Sequence, residues 1–257
     1  MEPCLKHHVA DGVATVVISN PARRNALTRG MWEALPPLLA GLAADPAVRA
    51  LVLTGDGDSF CAGADITSLG PTYEETTGVG VPAEEALAAF PKPSLAAVRG
   101  YCVGGGCQLA AACDLRFAEE GASFGVTPAK LGIVYSPTST RRLADLVGPA
   151  TAKYLLLSGE LIDTERALRT GLVDEVVPAG GLDKRVAEFA RVLVSRSPLT
   201  QAAVKEFTAG PVAPERLAYW AEQVPASGET AEGLAAFVER RAPRFGWTPA
   251  GQGPGGA

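Results

Sequence analysis

K-P-S-L-A-A-V-R-G-Y-C-V-G-G-G-C-Q-L-A-A-A-C-D, residues 92–114, decides the fold. Leu95–Val98 is a short buried strand, Gly100 and Gly104–Gly106 break it, and an Ala-rich helix follows before a further strand over Asp114–Ala118. Upstream, Lys6–Val9 and Val13–Ile18 read as a hairpin about Asp11-Gly12, and Arg49–Thr54 as a buried strand ended by Gly55-Asp56-Gly57. Helical patterns lie between these strands. Thr28 caps one to about Ala43, which Pro36-Pro37 is expected to kink or split. Strands alternating with helices imply an α/β fold.

From Thr138 the pattern is mostly helical, over about 139–147, 149–157, 163–170, 181–195, 198–208, 214–223 and 229–240, with a last strand at Val173–Val177. Residues 68–82 carry many breakers and no period, and read as a mobile surface loop beside the site. The domain expectation is a core over 1–195, a helical region over 196–248 and a flexible tail over 249–257.

The 257 residues hold 23 Lys and Arg against 28 Asp and Glu, a net charge of −5 that argues against a nucleic-acid partner. The longest apolar run, Leu95–Cys113, is broken by Arg99 and glycines and makes a poor membrane span. Met1–Ala10 carries no apolar signal core, so a cytoplasmic location is expected. Five cysteines with no C-x-x-C pair support neither a disulfide framework nor a metal site.

Two strand-ending turns could carry chemistry. In the first, Ser59–Ile66, Gly63 sits among small residues that leave the backbone amides uncovered; in the second, Gly100–Leu109, a helix begins on bare glycine amides. Either alone is a weak signal, and tight strand–helix packing explains glycines as well. Together they could form a two-donor hole for a thioester carbonyl that becomes an enolate.

With N-P-A-R-R-N-A-L (20–27), F-C-A-G-A-D-I (60–66), the 92–114 stretch, L-S-G-E-L-I-D-T-E-R-A-L-R-T-G-L-V-D-E-V-V (157–177) and F-V-E-R-R-A-P-R-F (237–245), the chain resembles the crotonase (enoyl-CoA hydratase/isomerase) superfamily from about residue 5 to 245. The resemblance implies an α/β spiral of ββα units with a C-terminal helical trimerisation region, assembled as a homotrimer or a dimer of trimers. It implies an acyl-CoA substrate whose coenzyme A is carried as the thioester, with no separate cofactor. The N–H groups of Ala64 and Gly105 would form the oxyanion hole, and the Ala62, Asp65 and Ile66 turn would lie along the CoA chain. Arg23 and Leu27 match nucleotide-side positions, and Phe237 and Arg240 match positions that reach a neighbouring subunit's CoA.

The resembling hydratases use two glutamates as acid and base; the matching positions here hold Gln108 and Pro128. Gln108 can orient a water or a carboxylate but takes up no proton near neutral pH. T-P-A-K-L-G-I-V-Y (127–135) is similar to the T-P-x-x-L-G-x-x-Y segment of methylmalonyl-CoA decarboxylases, which puts Tyr135 in the active site. Those decarboxylases carry a histidine where Ala64 stands here. A lyase that decarboxylates a malonyl-type thioester is therefore expected. The alternatives are a non-catalytic acyl-CoA-binding protein, or an isomerase using an acid from residues 68–85.

Other residues read as structural. Asp65 is a turn-forming carboxylate, Asp114 a strand-start group, and Glu74, Glu75, Glu84 and Glu85 solvated loop charges. Arg141-Arg142 reads as a surface or subunit-facing pair, Cys107 and Cys113 as small core residues, and His7 and His8 as strand residues remote from the turns.

Overall fold

The computed structural model describes residues 2–248. The tail expected over 249–257 lies outside the described residues. Strands β1 (Cys4–Ala10) and β2 (Val13–Ser19) form the expected hairpin, closed by Asp11 and Gly12, both at positive φ as a tight two-residue turn of matching twist requires. Helix α1 (Arg29–Ala44) and strand β3 (Ala50–Gly55) follow, then helix α2 (Val79–Ala88), strands β4 (Ser94–Val98) and β5 (Tyr101–Val103), and helix α3 (Gly105–Ala112). Strands β6 (Leu115–Glu119) and β7 (Ser123–Gly125), helices α4 (Pro137–Ser158) and α5 (Thr164–Arg169), and strand β8 (Glu175–Val177) complete the core. Helices α6 (Leu182–Val194), α7 (Pro198–Thr208), α8 (Pro214–Ser227) and α9 (Glu229–Glu239) end it.

The main sheet runs β1-β2-β3-β4-β6-β8, antiparallel at the hairpin and parallel elsewhere. Its central strands are covered on both faces, which is why β3 and β4 read as unbroken apolar runs. On one face Val16, Leu53 and Ala96 join the side chains of α1, α2 and α3; on the other Val52, Leu95, Ala97 and Phe117 meet Leu182, Val186 and Ala190 of α6.

Three expectations change. Helix α1 runs unbroken through Pro36 and Pro37, because Met31, Trp32, Leu35, Leu39 and Leu42 are buried along one stripe that holds it in place. The segment read as a loop is wound from Glu74: a π-type turn over Glu74–Gly78 leads straight into α2. Gly78, Gly80 and Pro82 are poor helix residues, and packing overrides them; a Cβ at Gly80 would lie only 3.6 Å from the Trp32 ring. The third change is the short β5–β7 pair, three residues each, too brief to show a period beside the glycines. The split expected between 139–147 and 149–157 survives as a kink at Gly148, whose φ of 77° interrupts α4.

Candidate active site

The two glycine turns meet. Cys61 N donates to Tyr101 O and Val103 N to Cys61 O, each at 2.9 Å, stitching the first turn to β5. Gly106 needs its missing side chain, since a Cβ there would fall 2.3 Å from the Cys61 carbonyl oxygen. Gly104 takes φ 58° and ψ −127°, a conformation open to glycine, and so turns the chain into α3. A Cβ on Gly63 would lie 3.2 Å from Gly105 N, and one on Gly105 3.9 Å from Ala64 N, so the two amides line one spot.

Neither amide is committed. Leu27 pairs with the first turn through Leu27 N to Gly63 O and Asp65 N to Leu27 O, both 2.8 Å. That pattern engages the residues flanking Ala64 and leaves its own N–H without an acceptor among the described residues. Gly105 is the first residue of α3, where no preceding turn supplies an acceptor. Both amides lie beside one another at the cleft with no acceptor of their own among the described residues.

Around them lies a cleft of about 720 Å³, lined by Trp32, Ala62, Ala64, Ile66, Leu69, Thr76, Thr77, Val79, Glu84, Gln108, Pro128, Leu131, Ile133 and Tyr135, among others. Thr77 donates its hydroxyl to Val134 O at 2.6 Å, joining the Glu74–Gly78 turn to the opposite wall. Gln108 is 6% exposed, and its Nε2 has no hydrogen-bond partner. The Tyr135 hydroxyl lies 3.6 Å from where a Gly104 Cβ would stand; burial pushes its pKa up, with Cys107 and Glu84 adding to the effect, so it stays a donor. Pro128 occupies the first position of a short 3-10 turn, and its ring faces the cleft.

Glu84 corrects the reading of solvated loop charges. It is 4% exposed and lines the cleft, whereas Glu74 is exposed and Glu75 turns back onto the Thr72 hydroxyl. Burial raises the Glu84 carboxyl to about 7, offset in part by the Ser139 hydroxyl and then by Arg142. Arg142 is therefore no free surface group: it bonds Glu85 at 2.9 Å and reaches Glu84 at 3.4 Å. Glu84 was legible in one respect, for α2 buries Gly80, Ala83, Glu84 and Leu87, and this i, i+3, i+4, i+7 spacing puts one carboxyl on the apolar stripe.

The remaining candidates distribute as follows. Asp65 is buried and caps the Ile66–Ser68 turn; the Thr67 hydroxyl, the Thr67 N–H and Arg23 hold its carboxyl below the usual range. Arg23 pairs with Asp65 at 2.7 Å and is half exposed, so it can exchange that partner at little cost. Leu27 has a fully buried side chain, and its backbone pairing fixes the first turn. Ala62 and Ile66 line the cleft, while Phe237, 85% exposed on α9, and Arg240 at the end of that helix do not line the cleft of their own chain.

Cys107 and Cys113 are buried as small core residues, and burial raises the Cys113 thiol to about 12; His7 and His8 are exposed on β1. Asp114 ties the start of β6 to Ser94 of β4. Among the described residues no cluster of three or more His, Cys, Asp or Glu could hold a metal, and no helix is long and apolar enough to cross a membrane.

A family model described as enoyl-CoA hydratase/isomerase matches residues 8–248. The chain belongs to the enoyl-CoA hydratase/isomerase family. It is 35% identical to the (E)-benzylidenesuccinyl-CoA hydratase of Thauera aromatica, over 92% of this chain and 96% of that one. It is 34% identical to the 2,3-dehydroadipyl-CoA hydratase of Escherichia coli, over 91% and 94%. The crystal structure of an enoyl-CoA hydratase/isomerase family member superposes with a TM-score of 0.90 at 40% identity, covering 97% of this chain and 99% of that one. The α/β core and the run of C-terminal helices are thus those of this crotonase-type family.

Proposed function

We propose that this family member acts on an acyl-CoA thioester through an enolate, and that it forms the enolate by releasing CO₂ from a malonyl-type acyl group. One observation carries the reading: beside the free amides of Ala64 and Gly105, the cleft offers two further uncommitted donors, the Gln108 amide and the Tyr135 hydroxyl. Donors in that number suit a substrate that brings a carboxylate as well as a carbonyl.

The chemistry follows from where charge moves. Hydration by a pair of glutamates needs two carboxyls at the water; positions 108 and 128 supply an amide and a proline ring, and among the described residues the lining of the cleft holds one carboxyl, Glu84. Decarboxylation removes no carbon-bound proton. The pair in the bond to the departing carboxylate flows to the α-carbon and on to the thioester oxygen, where the Ala64 and Gly105 N–H groups point. Pro128, Leu131 and Ile133 give the cleft an apolar wall, which disfavours a carboxylate and favours neutral CO₂. Gln108 and Tyr135 hold the carboxylate so that the breaking bond stands across the thioester plane.

The test is a substrate panel of malonyl-CoA, methylmalonyl-CoA and crotonyl-CoA. CO₂ release from the first two is expected, with little hydration of the third. Tyr135→Phe removes one hydrogen bond to a charged group, worth about 1.5–3 kcal/mol, and is expected to lower kcat/KM for decarboxylation roughly 10- to 100-fold. Strong crotonyl-CoA hydration that survives this substitution overturns the reading. Tight acyl-CoA binding without turnover in any arm would make the protein a binder.

A further inference from the structure

We infer that Glu84 is the group that moves the proton at the α-carbon of the bound thioester, through its Oε1. This rests on the thioester oxygen lying between the Ala64 and Gly105 amides, and not on which bond is broken to form the enolate.

The placement comes from packing. The Trp32 ring is wedged between α2 and the oxyanion turn: a Cβ on Gly80 would sit 3.6 Å from it, and one on Gly105 only 2.9 Å. Glu84 is one helical turn beyond Gly80, on the same buried stripe, and so comes to the cleft beside that ring. Its two oxygens are in different situations. Oε2 accepts the Ser139 hydroxyl at 2.5 Å and the Arg142 guanidinium at 3.4 Å, and Ser139 is itself held by Ser136 at 2.7 Å. Oε1 accepts nothing among the described residues. A carboxyl anchored by one oxygen and free at the other is positioned to exchange a proton with a bound ligand.

The charged and titratable groups facing Glu84 are few. Helix α4 supplies Arg142, its own helix Glu85, and the segment before α4 Tyr135. Helices α1 and α3 present the neutral Trp32 and Gln108, and α3 also carries the Cys107 thiol. Burial holds the carboxyl at about 7, so both of its forms are populated near neutral pH. As a base, Oε1 takes the α-hydrogen and the electron pair of the C–H bond passes to the thioester oxygen. The proton on Oε1 exchanges with solvent while the enolate stands, and the carboxyl then delivers a proton to the α-carbon and is a carboxylate again. The same delivery completes a decarboxylation, after which the carboxylate takes up a proton from solvent.

The full-length protein is incubated with butyryl-CoA in D₂O, and deuterium at the α-carbon is read by mass spectrometry. Butyryl-CoA has no carboxylate to lose, so this assay stands apart from the decarboxylation panel. The expected result is incorporation whose rate rises with pH to a plateau, with a midpoint near 7. Glu84→Gln is expected to slow it about 10²- to 10⁴-fold at unchanged butyryl-CoA affinity. Ser139→Ala withdraws a hydrogen bond from the charged form, so it is expected to move the midpoint upward, which a mere α2–α4 tie would not do. Exchange that persists in Glu84→Gln within threefold overturns the inference, as does wild-type protein that exchanges nothing. If Glu84→Gln does not fold, the Ser139→Ala midpoint decides: an unmoved midpoint overturns it. Exchange that depends on Glu84, in a protein that leaves malonyl-CoA intact, keeps the inference and discards the decarboxylase reading.

Discussion

Replacing Ala64 by proline is expected to lower kcat/KM for malonyl-CoA by at least about 10²–10³. Proline takes away the N–H, which the surrounding structure uses for nothing else, and puts its ring Cδ where that hydrogen pointed. Leu27 N to Gly63 O and Asp65 N to Leu27 O pin the turn on either side, and neither bond involves Ala64 N. The residue before it is Gly63, with no Cβ to meet the proline ring. The lost donor matters most when charge has moved onto the thioester oxygen, and the ring carbon also crowds that oxygen's place, so turnover and binding both fall. Steady-state kinetics beside a direct acyl-CoA titration check this. A change below about fivefold would mean that the oxygen sits elsewhere.

Arg116→Met is expected to destabilise the fold by about 3–5 kcal/mol, a fall in Tm on the order of 10 °C for a chain of this size. Arg116 is 2% exposed on β6 and each guanidinium nitrogen is engaged: Nε donates to Leu172 O at 2.9 Å, Nη1 to Cys113 O at 2.8 Å, and Nη2 to Asp174 Oδ2 at 2.9 Å. Asp174 also accepts Arg116 N at 2.7 Å, so one residue pair fixes the approach to β8. Methionine fills much of the volume but takes the side-chain donor from two carbonyls and leaves Asp174 with the backbone N–H alone. Urea denaturation at constant m-value reads the loss. A shift under about 1 kcal/mol would show that water replaces the guanidinium at these sites.

The architecture was legible where period and punctuation agree. The hairpin, the buried strands at 50–55 and 94–98, and the C-terminal helices follow directly from apolar spacing and turn residues. Two proline-containing helices were not, because proline and glycine act locally, whereas the stripe of Met31, Trp32, Leu35 and Leu39 acts across the core. The two glycine turns could be found from glycines that end strands, yet their meeting depends on Cys61 pairing with the backbone of β5, forty residues away. Glu84 was obscured for the same reason as its helix. A segment rich in breakers reads as solvent-facing, and its glutamates then read as solvated, although the 80-83-84-87 stripe separates Glu84 from Glu85. Leu27 is buried, and its visible part in the site is the backbone pairing with Gly63 and Asp65, which no apolar period announces.

Glu84 also makes folding a proton-uptake reaction. Around neutrality the unfolded chain has given that proton to water, since an unburied glutamate ionises near 4.5, whereas the native chain retains it up to about 7. The native carboxyl's pKa is the higher of the two, so its contribution to stability is whole below about 4.5 and drains away as the pH climbs to about 7. Above that, the fold carries an ionised carboxylate in a dry wall. Any ligand that hydrogen-bonds the charged form relieves this tension, so occupancy of the cleft, acidity of the medium and cohesion of the α2–α4 contact are linked through a single hydrogen ion.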